Sequence, residues 1–275
     1  MSQTMTSAPV KTTIIVGNQS LDVAELDEIK LERLIAKDEV ETAKLMKAAE
    51  SQGFFYVTFN DSLSEKVSSY LRTCYMRSHE FFSQASEEKM KEFREDMTHG
   101  YKRAGIESFE ITRDEQNRIP LPSPFAEHSE PILDLANICD MTVRTILRSV
   151  SDTLDPNGSL GLENSHRPDG KSDSGIKFVS GPTKASVSDV PDTTHTDGGS
   201  ITLLWCEEWA SQMQTKDTKE WLWIDPKPGC VLVNFANYLQ SQTGGRLYSP
   251  VHRVSQPLDG AEDRYFVSYF LRPNH

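Results

Sequence analysis

Apolar positions change their spacing about midway along this 275-residue chain. From Asp38 to Gln52 they recur at helical intervals, at Val40, Ala43, Leu45, Met46 and Ala49, and Gly53 is placed to end that helix. Phe54 to Phe59 is a run of β-formers and reads as a strand. Helical spacing returns from Leu63 to Phe82, with Val67, Tyr70, Leu71, Cys74, Tyr75, His79 and Phe82 on one stripe. A further helix starts at Ser86, with Glu87 and Glu88 in its first turn, where the helix dipole favours acids. Residues 114–129 are proline-rich and irregular. The longest periodic stretch follows, Glu130 to Leu154, and predicts a long supporting helix. Residues 155–174 are rich in Gly, Asn, Asp and Ser and read as a loop, with His166 solvated within it. Beyond them the pattern turns to short runs of β-formers at 175–180, 201–205, 221–224, 231–235 and 264–272. Turn signals such as Pro226-Lys-Pro-Gly229 separate them. The first 20 or so residues read as irregular, 21–35 as holding at most a short strand, and 206–220 as too polar for one.

Helices first and short strands after predict a mainly β fold with flanking helices, in one domain. An α-rich N-terminal region with lead-in strands would span 1–155, and the β core 175–273. Apolar residues make up 37% and charged residues 25%, ordinary values for a globular chain. The net charge of −12 without a basic cluster argues against a nucleic-acid or anionic-membrane partner. No run approaches the roughly 20 apolar residues of a membrane helix. The start lacks the basic and apolar regions of a secretion signal, so the cytoplasm is expected. Cys74, Cys139, Cys206 and Cys230 show no CxxC spacing and read as reduced thiols. Phosphate loops, dinucleotide fingerprints and nucleophile elbows are absent from the sequence.

The chemistry concentrates in His195-Thr196-Asp197. On a strand, residues i and i+2 face the same side, so this HxD would aim an imidazole and a carboxylate into one space. His252 can bring a second imidazole. Two His and one carboxylate make the facial triad of non-haem Fe(II) oxygenases, which leaves open positions for co-substrate and O2. A lone HxD is weak evidence. Here it leads into an apolar strand, Ile201 to Trp205, and is followed by a second strand, the distal His252 and a final strand from Arg264 to Arg272.

The segments HTDGGSITLLW, PKPGCVLVNFANYLQ, TGGRLYSPVHRV and RYFVSYFLRP resemble the Fe(II)/2-oxoglutarate-dependent dioxygenases of the isopenicillin N synthase-like branch. The resemblance is dense in the C-terminal half and looser before it, where GFFYV at 53–57 also fits. It implies a double-stranded β-helix, or jelly roll, wrapped by helices. It implies that His195, Asp197 and His252 bind Fe(II), and that Arg264 binds the distal carboxylate of 2-oxoglutarate. It further implies oxidation of a C–H bond of a small organic substrate, with 2-oxoglutarate and O2 as co-substrates. The outcome would be hydroxylation, desaturation or ring formation, and the setting natural-product biosynthesis. His99 to Gly105 resembles a loop that often borders the substrate mouth, which makes Tyr101 a candidate substrate residue; Phe270 is another.

Two positions depart from the family pattern. Relatives usually place Ser two residues after the arginine, where this chain has Phe266, and a Tyr where it has Gly181. Ser268 and Lys177 are the candidates to assist at the co-substrate carboxylate. The chain also runs only three residues past Arg272, where relatives often add a closing helix. A more open pocket, or one capped by a second subunit in a homodimer, is therefore expected. Two alternatives stay open: an Fe(II) oxidase that does not use 2-oxoglutarate, and a catalytically silent binding protein on the same fold.

Overall fold

The computed structural model describes residues 11–95, 99–104, 106–116, 118–182 and 193–275. The expectation of irregular structure over the first ten residues lies outside them, as does Gly105. In chain order the elements are β1 (Lys11–Val16), β2 (Gln19–Ala24), β3 (Glu28–Lys30), α1 (Leu31–Ile35), α2 (Glu39–Glu50), β4 (Phe54–Thr58), α3 (Asp61–Phe82) and α4 (Ser86–Met90). Then come β5 (Gly100–Ala104), β6 (Ile106–Thr112), α5 (Ser129–Leu154), β7 (Gly175–Pro182), β8 (Ile201–Trp205) and β9 (Ser211–Gln214). The last are β10 (Trp221–Ile224), β11 (Cys230–Phe235), α6 (Asn237–Gln242), β12 (His252–Val254) and β13 (Asp263–Leu271).

An eight-stranded sheet, β3-β4-β11-β8-β13-β7-β6-β5, faces a five-stranded one, β1-β2-β10-β9-β12. The central strands of the larger sheet are apolar on one face and mixed on the other, and the period-two alternation tells the faces apart. Val231, Val233 and Phe235, Ile201 and Leu203, and Val267, Tyr269 and Leu271 join the main core with α2, α3 and α5. The alternate residues Phe54, Tyr56 and Leu232 meet Met213, Leu222 and Ile224 of the smaller sheet in a second core between the sheets. This is the expected jelly roll, with helices covering the outside of one sheet.

Five local readings change. Residues 11–24 form a β-hairpin, not an irregular lead-in: Val16 pairs with Gln19 across Gly17-Asn18, a two-residue loop of the type that favours glycine at positive φ. Gly17 has φ of +57°. Residues 99–104 run into a paired strand and not an open loop, because β5 lies antiparallel on β6. Residues 211–214 form β9, which joins β10 to β12; Met213 is the one apolar residue in it, so the run looked polar. The HxD stretch is extended but is not a regular strand, since only His195 makes a bridge, to His252.

The fifth change concerns His166, which is buried and not solvated. Its Nδ1–H donates to the Leu162 carbonyl at 2.6 Å, and Nε2 accepts from the Ser200 hydroxyl at 2.6 Å. The ring thereby ties the 155–174 segment to the turn that precedes β8. Burial lowers its pKa below the ordinary histidine value, as expected for a ring that must stay neutral to accept that bond.

Candidate metal centre

His195, Asp197 and His252 come together at one end of the space between the sheets, with one ligand atom from each lying within 4.8 Å of the others. The backbone brings them there directly. His195 N–H donates to the His252 carbonyl at 3.0 Å, and His252 N–H donates back to His195 at 2.9 Å. The two rings sit 4.3 Å apart, centroid to centroid. Gly53 sets the other wall. With φ of +71°, it turns α2 into β4, and a Cβ there would lie 2.2 Å from the Tyr248 carbonyl oxygen. Phe54 follows and places its ring edge-on against His252 at 5.6 Å.

Each side chain is held by atoms that leave one donor free for a metal. His195 Nδ1–H donates to the Thr193 carbonyl at 2.5 Å, and His252 Nδ1–H to that of Pro250 at 3.1 Å. In the neutral rings these bonds put the proton on Nδ1 and turn Nε2 toward the open side, the arrangement expected of metal-ligating imidazoles. Asp197 is held on one oxygen only. Its Oδ2 accepts from Thr202 Oγ1 at 2.6 Å and Asn234 Nδ2 at 2.9 Å. Its Oδ1 faces His195 Nε2 at 3.6 Å and His252 Nε2 at 3.8 Å. Burial alone would raise the Asp197 carboxyl. The His195 contact, the His252 charge and the Asn234 and Thr202 bonds outweigh it and hold the group well below the usual carboxylate range. The Asp197 contact raises His195 against its own burial, and burial lowers His252. Two nitrogen donors and one carboxylate oxygen with an open side suit Fe(II). The sequence pattern did not reveal Thr202 and Asn234, whose only signal is their place on interior positions of β8 and β11.

Beside the triad, between the sheets, lies a cavity of about 160 Å³. Lys177, Val179, Thr202, Phe266, Ser268 and Phe270 are among its lining residues. A second, outward pocket shares His195, Asp197, Lys177 and Phe270 with it. Of the candidates read from the sequence, Lys177, Ser268 and Phe270 therefore reach the site. Two do not. Tyr101 is fully buried and edge-on to Phe81 in the aromatic core, and its hydroxyl donates to Glu107 at 2.7 Å. Arg264 is on the interior face of β13 but stops short of the cavity. Its Nη2 donates to Asp259 Oδ1 at 2.6 Å and its Nε to the Trp209 carbonyl at 3.0 Å.

A helix-wrapped double-stranded β-helix carrying a His-x-Asp…His cluster defines the class of non-haem iron oxygenases that use this fold. The comparisons agree. Residues 180–273 match the 2OG-Fe(II) oxygenase superfamily, and residues 22–132 match the N-terminal region of non-haem dioxygenases in morphine synthesis. A 2-oxoglutarate-dependent dioxygenase of Gibberella zeae is 31% identical over 90% of this chain and 80% of its own length. Another, from a Dothideomycetidae species, is 31% identical over 92% of this chain and 84% of its own. Among solved structures, the dioxygenase for auxin oxidation 1 of Arabidopsis thaliana, in complex with 2-oxoglutarate, superposes with a TM-score of 0.69. It does so at 19% identity, over 91% of this chain and 94% of that one. A full-length Neurospora crassa protein in complex with alpha-KG gives 0.74 at 20% identity, over 93% and 86%. This chain belongs to the 2OG-Fe(II) oxygenase superfamily. It is an oxidoreductase, a dioxygenase that uses Fe(II), 2-oxoglutarate and O2. No helix among the described residues is long and apolar enough to cross a membrane.

Proposed function

We propose that His195, Asp197 and His252 hold the catalytic Fe(II), and that the enzyme oxidises a C–H bond of a small natural product in the cytoplasm. The carrying observation is the free donor set: two Nε2 atoms and Asp197 Oδ1, each left open by hydrogen bonds elsewhere on its own side chain. Iron with 2-oxoglutarate and O2 supplies the oxidant; the protein positions the substrate and keeps water from the reacting centre. Phe270 lines both pockets and serves as the apolar wall against the substrate. Lys177 Nζ and the Arg272 guanidinium lie over its ring at 5.9 and 4.8 Å, which suits a substrate with both apolar and polar parts. The natural-product setting rests on the relatives named 2-oxoglutarate-dependent dioxygenase in fungi. The acidic chain suits neither nucleic acid nor an anionic membrane as partner. The chain forms one oxygenase domain, with the N-terminal helices clamped on the larger sheet.

The test is anaerobic metal titration followed by O2-dependent succinate formation across a panel of small molecules. Wild type should bind one Fe(II) and form succinate. Asp197→Ala should lose both. Stoichiometric iron and full turnover in Asp197→Ala would overturn the assignment.

A further inference from the structure

The arginine that matches the family's co-substrate position is not available to the cavity. Arg264 is 1% exposed, and Asp259, with its side chain 7% exposed, already supplies its counter-charge. A second carboxylate placed beside Asp259 would meet a like charge in a dry site, a costly arrangement. Phe266 lines the cavity where Arg264 does not. Its ring occupies the space that a side chain at 181 would take, since a Cβ on Gly181 would lie 3.2 Å from Phe266 Cε2. The replacements at 181 and 266 therefore form one exchange, a large residue gained on β13 and a side chain given up on β7.

Two residues on from the Phe266–Val179 pair, the cavity offers a different pair. Lys177 and Ser268 are direct cross-strand partners of β7 and β13, and both line the cavity. Lys177 is 29% exposed at its side chain, and Ser268 is buried. Among the described residues, the carboxylate within 4 Å of Lys177 Nζ is that of Glu110, whose Oε2 lies at 3.8 Å, beyond hydrogen-bond range. Glu110 Oε1 is committed to Arg272 at 2.6 Å, while Oε2 is buried without a hydrogen bond. That orphan oxygen draws the ammonium to one place without satisfying its three donors.

We propose that Lys177, with Ser268 beside it and Glu110 positioning it, is the carboxylate anchor for 2-oxoglutarate, in place of Arg264. The inference rests on the use of 2-oxoglutarate established by family membership. An ammonium and a hydroxyl on neighbouring strands together supply the charge and the neutral donor that an arginine and a serine on one strand otherwise provide. Lysine binds as a point charge without the fork geometry of guanidinium, so recognition of the chain length of the oxo acid is looser.

The experiment is calorimetric titration of the anaerobic Fe(II) protein with 2-oxoglutarate and with 2-oxopentanoate, which keeps the oxo-acid end and lacks the distal carboxylate. Lys177→Met should weaken 2-oxoglutarate at least about tenfold, the scale of a lost charge-assisted hydrogen bond. It should leave 2-oxopentanoate unchanged, and Lys177→Arg should restore most of the loss. Asp259→Asn removes the counter-charge of Arg264 and should leave 2-oxoglutarate affinity where it was. Equal loss for both oxo acids in Lys177→Met would overturn the proposal, as would no loss. Tighter binding in Asp259→Asn would do the same by returning the role to Arg264. Failure of the wild type to bind 2-oxoglutarate while still binding Fe(II) would remove the co-substrate itself, a result distinct from any of these.

Discussion

Removing the two donors that hold Asp197 Oδ2 should loosen the metal without touching a ligand. Thr202→Val is nearly isosteric on a buried β8 position and deletes only the 2.6 Å hydroxyl bond. Asn234→Leu deletes the 2.9 Å amide bond and also a weaker 3.3 Å contact to the Phe235 carbonyl. A hydrogen bond to a charged group contributes about 1.5–3 kcal/mol. Part of that is recovered here, because the freed oxygen can turn toward the metal. Changes of this kind around metal ligands cost roughly 10- to 100-fold in affinity. Thr202→Val alone should therefore weaken Fe(II) binding about tenfold. The double variant should approach about 100-fold and fall short of the product of the singles, since both donors serve one oxygen. The assay is anaerobic competition of Fe(II) between protein and a calibrated chelator, with circular dichroism confirming the fold. Affinity unchanged in the double variant, with Asp197→Ala still losing the metal, would show that the carboxylate is oriented without Thr202 and Asn234.

Two further outcomes are expected. His166 has a folded-state pKa below its unfolded value of about 6.5, so the folded form binds fewer protons than the unfolded form near that pH. Its contribution to stability is then complete above about pH 6.5 and lost as the pH falls through that value toward the folded pKa. Denaturant unfolding of wild type and His166→Gln should give a stability difference that shrinks on going from pH 7.5 to 5.5; a constant difference would refute this. Phe266→Ser should not restore a family-like site but leave a hole beside Gly181, at a cost of about 3–5 kcal/mol. Gly181→Tyr added to it should recover part of that cost in a double-mutant cycle of thermal unfolding, and strictly additive effects would show that the two positions do not share one space.

Much of this was legible from local pattern. The spaced apolar residues from Glu130 to Leu154 gave α5, which runs from Ser129 to Leu154. Short runs of β-formers at 201–205, 231–235 and 264–272 marked the strands that carry the site. The chemistry of HxD with a distal histidine does not depend on long-range packing, so His195, Asp197 and His252 could be picked out. What escaped depends on partners far along the chain. His166 reads as a loop histidine until Ser200 is placed against it. Arg264 reads as a free cation until Asp259 closes on it. Tyr101 belongs to a stretch resembling a substrate loop, yet β6 and α3 enclose it. The hairpin at 11–24 was missed for another reason: β1 is largely exposed, so its residues carry no burial pattern to read.

The mutual backbone bond between His195 and His252 has a consequence for which metal the enzyme holds. The bridge sets the two imidazoles, and Thr202 and Asn234 set the carboxylate, so binding requires little ordering of chain that would favour one ion over another. A rigid site of two imidazoles and a carboxylate follows the general order of divalent affinities, in which cobalt, nickel and copper all outrank iron. Nothing in such a frame rejects those ions. Occupancy by iron is then decided by supply, and protein made where nickel or copper is abundant will fold normally and carry the wrong metal.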